Sequence, residues 1–227
     1  VIQDAQNFGV DLSGALGERM AHYLELLLEA NQAFNLTAIT SPDEAWIKHI
    51  VDSLSLAPEL ASLADDARVV DLGSGGCLPA IPLALAFPGL RFTLVESIGK
   101  KARFLEQTAQ ALGLTNVEVV SERAESFGQG RAREAFDVVT SRALSRLPVL
   151  LELSLPLLRV GGFKLAIKGE QAELEVQEAA RALAVLGGRV EDLRRTRTGT
   201  VVKIRKHSHT PARYPRLPGE PKRKPIV

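Results

Sequence analysis

The chain reads as a doubly wound α/β domain with a mostly parallel sheet and an N-terminal helical extension. Three observations predict it. From Arg68 onward, short apolar runs alternate with segments of helical period, an order that builds a parallel sheet covered on both faces through right-handed crossovers. Ahead of Arg68 only helical periodicity is found. The first apolar run ends in Asp71-Leu72-Gly73-Ser74-Gly75, an acid-x-Gly-x-Gly pattern that marks a strand turning into a helix over a ligand.

Taken in order, residues 15 to 33 predict a helix, with Met20, Leu24, Leu27, Leu28 and Ala30 at three- and four-residue spacing. A second helix is expected from Ser41, an N-cap residue type, with Pro42 at the first helical position and Asp43 and Glu44 complementing the positive helix end. Strands are expected at 68–72, 91–96, 117–121, 136–141 and 163–167, where Val, Leu, Ile, Phe and Thr concentrate. Helical segments are expected at 81–87, 99–112, 146–158 and 170–186, and a turn at Arg123-Ala124-Glu125. The runs near 189–195 and 200–206 have no helix between them and pair as a hairpin. After His207, prolines at 211, 215, 218, 221 and 225 predict an extended, partly disordered tail. The expected division is thus a helical extension over 1–65, the α/β domain over 66–206 and a basic tail over 207–227.

Composition excludes several classes. With 45% hydrophobic and 24% charged residues the chain can bury a core, which rules out global disorder. The apolar stretch 79–90 is broken by prolines at 79, 82 and 88 and is about half the roughly 20 residues a membrane span needs. A single cysteine, Cys77, makes no internal disulfide, and no basic and then apolar leader opens the sequence, so a cytoplasmic protein is expected. The net charge of +1 conceals an asymmetry. From Arg189 onward twelve Lys or Arg face three Asp or Glu, a surplus of nine, which leaves an acidic surplus of eight before it. Such a split points either to a polyanionic partner or to a solvated basic tail.

The chemistry concentrates at the glycine turn. At the carboxyl edge of a parallel sheet, glycines let the backbone approach a nucleotide-like cofactor that a Cβ would hold off. A dinucleotide fingerprint wants a third glycine where Leu78 stands. Glu96, twenty-three residues after Gly73 at the end of the second strand, can accept both hydroxyls of a ribose; its plain alternative is an exposed strand-end charge. Asp71 is either a turn-capping acid or electrostatic support for an ammonium or sulfonium. The pattern favours S-adenosylmethionine over NAD. At the end of the fourth strand, Phe136-Asp137-Val138-Val139-Thr140-Ser141-Arg142 contains neither the Asn/Asp-Pro-Pro-aromatic motif of amine methylation nor a cysteine for covalent attack on a pyrimidine. An acceptor already nucleophilic, such as guanine N7, then needs only positioning and electrostatics. Arg142 is the candidate for that positioning.

The stretches Asn35-Leu36-Thr37-Ala38-Ile39, Lys48-His49-Ile50-Val51-Asp52-Ser53-Leu54, the glycine loop through Ala84, Glu96 to Leu105, Arg123-Ala124-Glu125, Ser141-Arg142-Ala143, Lys168-Gly169, Tyr214 to Gly219 and Lys224-Pro225 together resemble the bacterial GidB/RsmG family over nearly the whole chain. The resemblance implies a Rossmann-like S-adenosylmethionine-dependent methyltransferase fold and methylation of N7 of the guanine at position 527 of 16S ribosomal RNA. It puts Gly73 and Leu78 on the cofactor, Glu96 on its ribose, Ala124 and Glu125 beside the adenine, and Arg142 near the reacting end; Asp71, Gly75, Ser97 and Ile98 complete the expected cofactor-binding set. No metal and no membrane enter; the expected partner is 16S ribosomal RNA or the small ribosomal subunit, met by a monomer. Cys77 and Ala80 depart from the glycines common at these positions. His49 and Asp52, three apart on one helix face, are either an RNA or cleft contact or a packing pair. Arg213, Arg216, Lys222, Arg223 and Lys224 are the candidate RNA contacts. Two other readings stay open: an NAD-dependent oxidoreductase, and an RNA-binding or ribosome-assembly module without turnover.

Overall fold

The structure, a computed structural model, describes residues 1–227. Its N-terminal helices are α1 (Ile2–Asn7), α2 (Ala15–Phe34), α3 (Pro42–Ala45), α4 (Asp52–Leu54) and α5 (Ala57–Leu60), with one π-helical turn, Trp46–Val51, joining α3 to α4. There follow β1 (Arg68–Leu72), α6 (Ala80–Ala86), β2 (Arg91–Val95), α7 (Gly99–Ala111), β3 (Val117–Val120), α8 (Ala124–Gln129), β4 (Phe136–Arg142), α9 (Leu147–Ser154), β5 (Leu158–Lys168), α10 (Ala172–Glu178), α11 (Ala180–Leu186), β6 (Gly188–Arg195), β7 (Thr200–Lys206) and α12 (Glu220–Arg223).

The seven strands form one sheet in the order β3-β2-β1-β4-β5-β7-β6. All neighbours are parallel except β7, which runs antiparallel to both β5 and β6. Strand periodicity divides the interior in two. Val69, Leu94, Val138 and Leu165 face one core together with Met20, Leu24, Leu27, Ile50 and Leu54 of the N-terminal helices. Val70, Val95, Val139 and Ala166 face the other, against α9 and α11. The N-terminal helices therefore complete one layer of the sandwich. The strand order reverses between β1 and β4, and ligands of such sheets sit outside the carboxyl ends at that point.

Several expectations are corrected. Helix α1 lies where no element was expected, and Ser41 makes no side-chain cap hydrogen bond. The Arg123-Ala124-Glu125 turn opens a helix, the segment 170–186 divides at Ala179, and β5 begins at Leu158, where the preceding helix was expected to run on. The largest correction concerns the tail, which folds back on the domain. The Arg133 guanidinium donates to the carbonyls of Thr210 (2.5 Å) and Tyr214 (2.6 Å), and Gln129 Nε2 donates to that of Pro215 (2.9 Å). Arg216 forks both oxygens of Glu152, whose side chain is wholly buried in α9, and Pro221 is buried. Prolines here shape a strap laid over α8 and α9 rather than a free arm.

Candidate active site

The first turn of the site is made by glycine. Gly73 holds φ +69° and Gly75 φ +45°, and a Cβ on Gly73 would stand 2.4 Å from the Leu144 side chain. Any other residue at 73 would be strained in this left-handed backbone and would have to push the Leu144 side chain aside. The loop is braced from behind: the Tyr23 hydroxyl of α2 donates to the Gly76 carbonyl at 2.7 Å. Cys77 also adopts a left-handed backbone, φ +72°, which accounts for glycine being the easier residue there. Its thiol is buried, and burial pushes its pKa up, so it remains a thiol.

A cleft of about 390 Å³ opens at the carboxyl ends of β1 to β4, a size within the roughly 300–1,000 Å³ of ligand pockets. Of the residues expected at a cofactor, Gly73, Gly75, Glu96, Ser97, Ile98, Ala124 and Glu125 line it. Glu96 is 6% exposed, so it is not a loose strand-end charge. Its Oε2 accepts the Gly75 N–H at 3.1 Å and its Oε1 the Ile98 N–H at 2.8 Å. The carboxylate thus ties the glycine loop to the start of α7, with a second lone pair on each oxygen left for ligand hydroxyls. Ile98 and Leu144, two of the chain's exposed large apolar side chains, supply apolar wall. Glu125 accepts the Gly219 N–H at 2.9 Å, and Gly219, Pro221 and Lys222 of the tail line the same cleft.

Three expected cofactor residues stand elsewhere. Leu78 is buried in the core shared with the N-terminal helices and does not line the cleft. Asp71 is fully buried beneath the loop: Oδ1 accepts the Thr140 hydroxyl at 2.7 Å, while Oδ2 has no partner, and burial raises its pKa to about 7. Behind it lies Lys164, also fully buried, its Nζ donating to Ser141 Oγ at 2.7 Å and its pKa lowered by burial to about 7. Arg142 leaves the cofactor cleft and joins the N-terminal helices. Its guanidinium donates to the Lys48 carbonyl at 2.5 Å and to Asp52 Oδ2 at 3.1 Å, and meets His49 Nδ1 at 3.2 Å. His49 and Asp52 are therefore partners of Arg142. Burial, and secondarily the Arg142 charge, lower the His49 pKa to about 4, so its ring is neutral at neutral pH. This trio faces a second cavity of about 660 Å³, which shares Ala143 with the cofactor cleft.

The RNA candidates divide. Arg216 is consumed by Glu152, and Lys222 lines the cofactor cleft. Arg213, Arg223 and Lys224 have exposed side chains. Of the twelve cations from Arg189 onward, seven are ion-paired, largely with acids from earlier in the chain. The charge asymmetry is thus in large part internal complementarity. Sequence reasoning assigned no site role to Lys101, Glu122, Arg123, Ser145, Val149, Leu153, Gly219 and Pro221, which also line the cleft; the first three come from α7 and the exit of β3, and only folding of α9 and the tail brings in the others. No cluster of three or more His, Cys, Asp or Glu is placed to hold a metal ion, and no helix is long and apolar enough to cross a membrane.

Comparison with known proteins adds a shared fold and a family. A solved structure of MtNAS superposes with a TM-score of 0.58 at 17% identity, covering 91% of this chain and 85% of that one. The antibiotic-resistance methyltransferase Kmr does so at 0.53 and 18%, over 67% and 92%. At these identities the likeness is one of fold, the Rossmann-like fold of S-adenosylmethionine-dependent methyltransferases. The family model for GidB, rRNA small subunit methyltransferase G, matches residues 17–203. Proteins of that name from Desulfitobacterium hafniense and Sorangium cellulosum are 43% and 46% identical, over 98% and 91% of this chain and 94% and 87% of theirs. With the family model covering residues 17–203 and relatives of this identity over nearly the whole length, the chain belongs to the GidB family of rRNA small subunit methyltransferases.

Proposed function

We propose that the chain is an S-adenosylmethionine-dependent methyltransferase acting on N7 of a guanine, position 527, in 16S ribosomal RNA, in the cytoplasm and as a monomer. The observation that carries this reading is the cleft at the sheet's switch point, walled by Gly73, Gly75 and Glu96, in a chain matched to the family over residues 17–203.

The residues fit the cofactor by their chemistry. Glu96 offers a carboxylate to a ribose diol, Ile98 and Leu144 offer apolar surface to an adenine, and Glu125 with Ala124 closes that end. Asp71 stays beneath the loop and off the cleft wall, its carboxyl held to Thr140 and its pKa raised by burial. When bound, S-adenosylmethionine supplies an electrophilic methyl group on a sulfonium. Glu96 and the glycine turn would hold that methyl group toward the guanine N7 lone pair, an acceptor with no proton to lose. The chain therefore has to position the base, exclude water and stabilise charge. Neutral His49 suits that task, since it places no further cation beside a base that becomes cationic.

The test is methyl transfer from tritiated S-adenosylmethionine to small ribosomal subunits from a strain deleted for this gene. Label recovered as N7-methylguanosine from the fragment around position 527 supports the reading. Label on another nucleotide, or none above a heat-treated control although S-adenosylhomocysteine binds, overturns it.

A further inference from the structure

The second cavity contributes nothing to the cofactor cleft except a shared wall at Ala143, a non-glycine residue with φ +51° at the exit of β4. It lies between the π-helical turn, the exits of β4 and β5, α10 and the turn joining β6 to β7. π-turns of this kind recur where a helix must aim side chains at a site.

An inventory of its hydrogen-bonding groups shows what is left unspent. Because Arg142 can only donate, His49 Nδ1 accepts, and the ring proton sits on Nε2, 3.0 Å from Thr37 Oγ1. Thr37 Oγ1 also accepts the Ile39 N–H at 3.1 Å. Its own hydroxyl hydrogen has no acceptor within the chain. On α10, Glu175 Oε2 accepts both the Leu147 N–H and Lys168 Nζ, each at 2.7 Å, and Oε1 accepts nothing. Glu175 is 9% exposed, and its Oε1, which has no donor within the chain, is the accessible oxygen of a cavity-lining carboxylate, open to a donor from a ligand.

A hydroxyl donor and a carboxylate oxygen free of partners in the chain, in a cavity that also holds Lys48, Lys168 and Arg197 beside Ile39, Ile47 and Ile167, suit a flat ring carrying an acceptor next to two adjacent donors. Guanine presents O6 beside N1–H and the N2 amino group; adenine presents the reverse at the first two positions. We propose that this second cavity is the pocket for the acceptor base, with Glu175 Oε1 receiving the N1–H and N2–H of the guanine and the Thr37 hydroxyl donating to its O6. The proposal rests on the methyltransferase reading above and goes beyond it by assigning the residues that choose the base. Holding the ring by N1, N2 and O6 leaves N7, the next acceptor beyond O6 on the neighbouring edge, free to meet the methyl group across the Ala143 wall. Arg142 is then a positioning residue, which fixes His49 and through it Thr37.

The experiment is calorimetric titration of the full chain, saturated with S-adenosylhomocysteine, with guanosine, inosine and adenosine 5′-monophosphates. Guanosine monophosphate should bind, the inosine form, which lacks the N2 amino group, several-fold more weakly, and the adenosine form at least about tenfold more weakly, the scale of a buried acceptor left unpaired. Glu175→Gln replaces the acceptor with a donor and should remove the preference for guanosine monophosphate while leaving S-adenosylhomocysteine affinity in place. Ala38→Trp, in the loop at the cavity wall, should abolish nucleotide binding by bulk alone, and it decides the matter if Glu175→Gln fails to fold. No binding of guanosine monophosphate to the saturated protein, equal affinity for all three nucleotides, or unchanged binding in Ala38→Trp overturns the pocket. Failure of S-adenosylhomocysteine itself to bind would instead overturn the methyltransferase reading.

Discussion

Two lysines are completely buried in this molecule, and they are treated in opposite ways. Lys206, at the end of β7, spends all three of its ammonium hydrogens: on Glu134 at 2.7 Å and on the carbonyls of Leu155 (2.9 Å) and Leu158 (2.7 Å). Lys164, on β5 beneath the glycine loop, has the single bond to Ser141 and lies near Asp71, whose second oxygen is bare. A buried ammonium that fills its hydrogen-bonding capacity acts as a clasp, here holding the end of the last strand to the loop before β5. One that does not is a cost borne by the fold. The difference separates a rear half built for stability from a front half where incompletely satisfied charge collects under the candidate cofactor site.

The comparison can be broken most decisively at the rear. Removing residues 211–227 strips Arg216 from buried Glu152 and should cost about 3–5 kcal/mol in urea unfolding, as for any uncompensated buried charge. It should also weaken S-adenosylhomocysteine binding, because Gly219, Pro221 and Lys222 leave the cleft wall. A truncated chain of full stability and affinity would restore the free-arm picture. Next, Lys206→Met orphans two carbonyls and Glu134 and should cost about 3 kcal/mol by the same measurement.

At the front, Glu96→Ala should weaken S-adenosylhomocysteine by about 1.5–3 kcal/mol in calorimetry, a loss that includes the tie between Gly75 and Ile98. Lys164→Met should behave oppositely to Lys206→Met and stabilise the fold by roughly 1 kcal/mol at pH 7, since an apolar isostere replaces an under-paired charge. The sign follows from linkage. A folded pKa of about 7 against an ordinary 10.5 means that the unfolded chain binds the extra proton between those values, so wild-type stability rises with pH there. The advantage of the Met variant should therefore be complete below pH 7 and vanish as pH climbs toward 10.5; an advantage constant with pH would show that Lys164 does not titrate. Smallest of all, Arg213→Ala should leave stability unchanged and reduce the logarithmic salt slope of RNA binding by roughly 0.7–0.9. An unchanged slope would remove Arg213 from the RNA interface.

How much of this was legible in the sequence follows the range of the interactions involved. Strands announced themselves because Val, Leu, Ile and Phe concentrate where both faces of a strand are covered: 68–72 was read to the residue, as was the start of every strand but β5 and β6. The glycine loop and Glu96 were legible because their chemistry is local in the chain. The tail was misread because proline and charge look alike in a disordered arm and in a strap; what distinguishes them is Glu152, an acid in an otherwise apolar helix 64 positions away. Glu175 was invisible for the same reason, being one acid among several in a segment that reads as a solvated helix. The placement of Arg142 was half right: its strand end was legible, its partners on the N-terminal helices were not.

The candidate cofactor cleft depends on distant parts of the sequence: Tyr23 steadies the glycine loop from the second helix, and Gly219, Pro221 and Lys222 line its far side. A nascent chain folds from its N-terminus as it emerges, so the sheet can be complete while the cleft still lacks a wall. Competence to hold the methyl donor therefore follows the emergence of residues 219–222, after every strand of the sheet has been made.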